Sequence, residues 1–277
     1  TGTHTSAPAH SEADAEEIRD TPLKPDTTAE QKAAMQDANE RFRDWNRRLM
    51  DEDSGAARAT REYLTEKRQL PADVLRGAGI GLAHRDDLPE LWQTTKTGYD
   101  TFDWWVTIPI PRRDPGTGRA DGVKQIKRFA FDPAAKDWQK FKGGRKAAML
   151  PSGGTAVLYD PSHPDGRDAP VLVCEGEIDA LHAVSAGYNA VTGTGGANTW
   201  KEAWSRYVAH MPATHSHGAV LCFDGDDAGR AGAETAARSL HGAGADVRVA
   251  TLPDGKDVND VLRDGGRDAL EAFVDGA

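Results

Sequence analysis

From Ala169 to the C-terminus the chain repeats one unit: a short apolar run, a turn, then a helix-forming stretch. "VLVCEG" leads into "EIDALHAVSAG", "YNAVTGTGG" into "ANTWKEAWSRYVAH", "GAVLCFDGD" into "DAGRAGAETAARSLHGAG", and "DVRVATLPDG" into "VNDVLRDGG". Short strands that are apolar throughout must be covered on both faces, and alternating helices supply that cover. This half therefore reads as α/β, a parallel sheet with helices on both sides. Gly187 and Gly242 are placed to end two of the helices.

Two of the apolar runs stop abruptly in acids. In an open parallel sheet, ligands bind beyond the carboxyl ends of the strands, near the point where strand order reverses. Glu175 follows the first run and Asp224 the third, so both project there. Residues two apart in an extended chain face the same side, which lets Asp224 and Asp226 converge. Carboxylates gathered in one cleft repel one another unless a cation joins them. Oxygen-only donors suit Mg²⁺ or Mn²⁺, which accept phosphate oxygens as remaining ligands. The competing reading makes these acids helix N-caps. Asp227 is expected to be the cap, whereas Asp224 and Asp226 beside Glu175 are expected to hold metal.

The first half has a different rhythm. From about Glu30 to Met50 the pattern is helical, with Met35, Phe42, Trp45 and Leu49 close to one face. A second helix runs through "GAARATREYLTEKRQL" to Pro71, and a short one follows before "GAGIGLA". "DWWVTIPIP" and "DGVKQIKRFAF" then alternate apolar and polar residues across the turn-forming "RRDPGTGRA", the mark of a β-hairpin. The expected division is a disordered tail over 1–28, a mixed α+β basic subdomain over 29–168, and the α/β domain over 169–277.

Charge follows this division. The net charge of -10 argues against a simple cationic nucleic-acid binder. Yet Pro111 to Lys146 holds eleven Lys/Arg against four Asp, and Asp224 to the end holds twelve acids against six bases. One part attracts anions and the other cations. A mean hydropathy of -0.63 and the lack of an apolar run near the ~18 residues a bilayer span needs leave a membrane role unsupported. Cys174 and Cys222, each in an apolar run, suggest buried thiols in a reducing compartment, with no disulfide framework and no zinc site; the cytoplasm is the expected location. No secretory signal precedes them, and a chain opening on Thr1 reads as a piece of something longer.

"VLVCEGEIDALHAV", "LCFDGDDAGRAG" and "LPDGKDVNDVL" together resemble the Toprim domain, whose motifs are an E-G strand end, a D-x-D strand end and a later G-K-D. Upstream, "AARATREYLTEKRQLPADVLRGAGIGLA" is similar to the helical segment that opens the catalytic core of bacterial DnaG-type primases. "WWVTIPIPRRDPGTGRADGVKQIKRF" and "KDWQKFKGGRKAAMLP" look like that core's basic subdomain in a form closer to phage and plasmid primases. The similarity covers roughly residues 35 to 275.

The resemblance implies synthesis of short RNA primers from ribonucleoside triphosphates on a single-stranded DNA template, with two or more Mg²⁺ or Mn²⁺ ions. Carried over by position, Glu175, Asp224 and Asp226 match the principal metal ligands, and Asp179 and Asp257 the outer acids. Glu175 as a base for the attacking hydroxyl stays open. Lys127, Arg128, Lys140 and Lys142 are candidates to grip triphosphate and template phosphates, with Lys256 and Arg230 beside the acids. Asn259 stands where such primases often carry a second acid, so its part in a second metal site stays open. A replicative helicase and a zinc-binding domain outside this chain are the expected partners. The alternatives are a Toprim metal-dependent nuclease, since the same acids can activate water, and a DnaG-like domain that binds nucleotide or DNA without catalysis.

Several signals are discounted. "VTGTGGANTW" follows a second strand and lacks the full G-x-G-x-x-G, so it reads as a tight strand-helix turn. Trp104 and Trp105 face opposite sides of their strand, one of them toward the core. "HSH" at 215 to 217 lacks companion ligands and reads as a solvated loop.

Overall fold

Strand alternation organises the first half. The computed structural model describes residues 29–88, 102–113, 120–140, 147–150, 156–161 and 168–277; the tail expected to be disordered lies outside them, as does Lys142. The expected hairpin forms from β2 (Trp104–Arg113) and β3 (Ala120–Asp132), antiparallel from Trp104↔Phe131 onward. It is extended by β1 (Gly81–His84), β4 (Asp137–Trp138) and β5 (Ala147–Leu150) into a five-stranded antiparallel sheet. One face meets α1 (Ala29–Asp51) through Trp45, Ala83, Trp105, Ile126 and Ala130. The other carries Val106, Ile108, Ile110 and Phe131 into the main core. Trp105 is fully buried and Trp104 half-buried, as their opposite faces require.

The second expected helix is split. α2 (Gly55–Glu62) passes into a π-helical turn over Tyr63–Lys67, and α3 (Ala72–Gly77) follows. Thr65 Oγ1 donates to the Arg61 carbonyl at 2.9 Å, a side-chain back-bond of the kind that loosens a helical turn. Tyr63, at the start of this turn, packs edge-on against Phe131 and Trp138 and ties it to the sheet.

The second half builds the expected units: β7 (Val171–Cys174) and α4 (Glu177–Ser185), β8 (Asn189–Gly193) and α5 (Glu202–Ala209), β9 (Ala219–Cys222) and α7 (Asp227–Gly242), β10 (Val247–Val249) and α8 (Val258–Asp275). The short α6 (Pro212–His217) and β6 (Leu158–Tyr159) complete them. The sheet runs β10-β9-β7-β8-β6. Four strands are parallel as expected, and β6 adds an antiparallel edge recruited from before residue 169. Period two sorts its side chains. Val171, Val173, Val191 and Leu221 face α5 and α7, while Leu172, Cys174, Ala190, Val220 and Cys222 face α4 and α8. That second layer is continuous with Leu64, Leu75 and Ile108, so a single core joins the two sheets.

Gly187 takes the left-handed φ of +89° expected after a helix. Gly242 does not; it remains helical, and the left-handed position falls to Gly244 at φ +88° because the helix ends later, at its C-cap Ala243.

Trp105→Ala is expected to cost about 3–5 kcal/mol in urea unfolding. It opens a cavity between α1 and the sheet and strips the ring that lies 4.2 Å from the Arg128 guanidinium.

Candidate active site

The chain leaves β7 for β8 on one side and returns to β9 on the other, so strand order reverses at the β7/β9 pair. Cys174 and Cys222 are register partners there, and Glu175 and Asp224 lie just beyond them. The Asp224 amide donates to Glu175 Oε2 at 3.3 Å, which brings together the two acids that the sequence placed in one crevice.

Backbone packing fixes the D-G-D turn. The Gly225 amide donates to the Lys256 carbonyl and its own carbonyl accepts from Gly255, both at 2.9 Å. A Cβ on Gly225 would sit 2.1 Å from the Pro253 carbonyl oxygen, and one on Gly229 would sit 2.2 Å from that of Asp224. Those contacts seat the G-K-D turn against the D-x-D turn and carry Asp257 to the same end of the sheet.

Helix capping orients two further acids. Asp226, in extended conformation, accepts from the Gly229 amide at 2.7 Å and is the N-cap of α7. The expected cap, Asp227, is instead the first helical residue and pairs on the surface with Arg230. The reason is geometric, since a capping side chain must come from the extended residue preceding the helix. Asp257 caps α8 in the same way, accepting from the Asp260 amide at 2.6 Å. Both carboxylates thus sit at positive helix ends.

Asp179, buried in the first turn of α4, accepts from the Asn259 amide at 3.3 Å. Burial drives its carboxyl well above the usual range, and Asp257 and Asp224 add to the rise. Asp224 is pushed up to about 7 by burial first, then by Glu175, Asp257 and Asp226. Glu175 is raised by burial and by Asp226, against hydrogen bonds from the Asp224 and Ala197 amides. Glu175, Asp179 and Asp224 therefore feel the charge of other acids in the expected set. Among the described residues no group of three or more His, Cys, Asp and Glu side chains is placed to hold a metal ion. The donor chemistry nevertheless fits a hard divalent cation: it is all carboxylate oxygen, and buried Asn259, whose amide meets Asp179, has an Oδ1 with no hydrogen-bond partner among the described residues.

The basic candidates divide sharply. Lys127 Nζ lies 2.6 Å from both carboxylate oxygens of Glu177 and 3.3 Å from the Thr194 carbonyl. Arg128, on the opposite face of β3, is buried over Trp105. Lys140 is exposed. Arg230 joins Asp227, Asp254 and the Gly225 carbonyl, and Lys256 pairs with Asp264 at 3.0 Å. Sequence reasoning missed Glu177; nothing in the spacing of "EGEID" announces a lysine partner fifty residues upstream. The turn after β8 passes into a 3₁₀ segment, Ala197–Thr199, whose first amide favours the charged form of Glu175. The "HSH" residues lie on α6 rather than a loop, and His217 pairs with Asp168.

Comparison with known proteins fits this geometry. Residues 172–262 match a family described as Toprim-like. The DNA primase of Pseudomonas aeruginosa is 32% identical over 206 residues, which cover 72% of this chain and 29% of that protein. The Gene 57 protein of Mycobacterium phage D29 is 29% identical over 137 residues, covering 50% of this chain and 84% of that protein. The solved DnaG primase catalytic domain bound to single-stranded DNA aligns at 23% identity with a TM-score of 0.65, covering 90% of this chain and 80% of that one. Residues 172–262 thus form a Toprim-like domain. The chain as a whole has the fold of a primase catalytic core, and it spans less than half the length of the bacterial primases it matches. Among the described residues no helix is long and apolar enough to cross a membrane.

A raised carboxyl stabilises the fold fully below its unfolded pKa, and that contribution is lost as pH rises through the folded one. The Asp224 contribution is therefore complete near pH 4 and gone above about 7. In chelator-treated protein, Tm is expected to fall as pH rises from 5 to 8, and Asp224→Asn is expected to flatten that fall. Millimolar Mn²⁺ is expected to raise Tm at pH 8 in the parent but not in the variant, read by calorimetry.

Proposed function

We propose that this chain is the catalytic core of a DNA primase, joining ribonucleotides into short RNA primers on single-stranded DNA. The observation that carries the reading is the meeting of Glu175 and Asp224 at the strand-order reversal, with Asp226 and Asp257 turned there by helix caps. The solved relative bound to single-stranded DNA and the P. aeruginosa primase support the substrate class.

In this proposal Glu175, Asp224 and Asp226 hold Mg²⁺ or Mn²⁺, with Asp179 and Asp257 as outer acids. When bound, two such ions favour the attacking 3′-hydroxylate and the departing pyrophosphate. The chain's own contribution is placement. The main-chain amide of Asp224 orients Glu175. The Asn259 amide orients Asp179. Template and triphosphate phosphates are met by the exposed Lys140, by Lys142, and at the acidic rim by Arg230 and Lys256 once they exchange their carboxylate partners for phosphate. A zinc-binding template reader and a replicative helicase are proposed partners outside this chain.

The test incubates the protein with single-stranded DNA, labelled ribonucleotides and Mg²⁺ or Mn²⁺. Short RNA products from the parent, abolished in Asp224→Ala and Glu175→Gln, are expected. Shortened template with no RNA would overturn the proposal in favour of the nuclease. Nucleotide binding without either product would leave a non-catalytic domain.

Gly225→Ala is expected to abolish primer synthesis and to destabilise the fold by about 1–3 kcal/mol, because the added methyl forces the D-x-D turn off the G-K-D turn. Activity assays paired with urea unfolding check both halves.

A further inference from the structure

Lys127 is the most basic-looking choice for a phosphate contact, yet its ammonium is already committed. It emerges from β3 on the face opposite Arg128 and reaches across to the second sheet. There it meets both oxygens of Glu177 at 2.6 Å, and the Thr194 carbonyl at 3.3 Å. The pair is nearly closed to solvent, with the lysine side chain 15% and the glutamate side chain 4% exposed.

Its anchor points border the candidate site on two sides. Glu177 is the first residue of α4 and follows Glu175 by two. Thr194 opens the turn after β8, a segment fixed at the same place by the Thr194 amide to the Val157 carbonyl and by the Val157 amide to Thr194 Oγ1. Three residues later comes Ala197, whose amide favours the charged form of Glu175. One ammonium therefore ties the antiparallel sheet to the start of α4, two residues after Glu175, and to the turn that carries Ala197. A buried ion pair gains little net stability over apolar residues of similar size, but removing one partner strands a charge. The pair is thus better suited to fixing geometry than to strengthening the fold.

We propose that Lys127 and Glu177 are positioning residues: their pairing locks the turn over 193–197 and the first turn of α4 against the basic sheet, and so sets Glu175 relative to bound substrate. Lys127 acts through Glu177 and not by gripping the triphosphate. The proposal takes its rate readout from the primer-synthesis reading and has a second readout independent of it.

A double-mutant cycle tests it. Lys127→Met and Glu177→Gln are each expected to lower kcat for primer synthesis on the order of a hundredfold, with KM for ribonucleotide within about twofold of the parent, as for a misplaced catalytic group. The doubly substituted protein, which carries no unpaired buried charge and so retains its fold, is expected to lose no more than either single variant. The swapped pair, Lys127→Glu with Glu177→Lys, is expected to recover most of the rate. Hydrogen exchange in metal-free protein should quicken by one common factor over 193–197 and 175–180 in the single and double variants and return toward the parent in the swap. A direct triphosphate contact gives another pattern: Glu177→Gln keeps the parental kcat, and Lys127→Met raises KM. That result would overturn the proposal. Unchanged exchange in both segments would sink it even if the parent made no primers, an outcome that separately counts against primer synthesis.

Discussion

The arrangement depends on one electrostatic conflict, several carboxylates held close enough to raise one another's proton affinity. No fold assembles such a group by side-chain attraction. Backbone does it here. The Asp224 amide holds Glu175, the Gly229 and Asp260 amides hold Asp226 and Asp257 as helix caps, and the Asn259 amide holds Asp179. Four of the five acids are gripped by an N–H donor of the main chain, and the fifth, Asp224, supplies its own amide to Glu175. The cluster keeps its shape because secondary structure that exists for other reasons supplies the donors. The conflict left over, a proton affinity for Asp224 near neutrality, is what a divalent cation relieves.

The antiparallel sheet answers a different problem, how a strand crowded with cations can lie inside the molecule. Lys127 and Arg128 are neighbours, so the pleat sends them to opposite faces. Arg128 goes into the layer under α1, stacked on Trp105, and Lys127 goes into the gap between the sheets, against Glu177. Each is desolvated and each has a partner that suits its shape: a guanidinium sits over an aromatic ring, and a compact ammonium meets two carboxylate oxygens. These two cations of the basic segment thus serve internal structure.

This explains which parts of the site were legible in the sequence. The apolar runs ending in Glu175 and Asp224 carry fold and site together, because being buried on both faces and closing at the same sheet edge are consequences of one pattern. The hairpin was legible from alternation alone. Less visible were β1, a short buried run with no polar alternation, and β6, two residues long and recruited by an edge. The exchange of roles between Asp226 and Asp227 turned on which residue is extended, a backbone matter that composition does not encode. Local charge counts marked Lys127 and Arg128 as ligand contacts, but whether a cation faces water or a distant acid depends on tertiary pairing. Glu177 gave no sign of its partner for the same reason.

The two findings meet at the turn over 193–197. It receives Lys127 on the Thr194 carbonyl and carries the Ala197 amide, which favours the Glu175 carboxylate, so the basic sheet and the acidic cleft both act on one short segment. A carbonyl held by an ammonium and an amide directed at a carboxylate are both oriented dipoles. The turn therefore couples the basic sheet to the acidic cleft, with the Lys127 side chain as the link on one side. For phosphodiester chemistry that coupling has a physical use. In the proposed reaction the attacking oxygen must lie in line with the leaving pyrophosphate oxygen, so the ledge that seats the polyanion has to keep a fixed distance from the acids that would seat the cations. In this proposal the turn, clamped from both sides, holds that distance, and the lysine and arginine side chains at the rim meet the phosphates of the charged substrate.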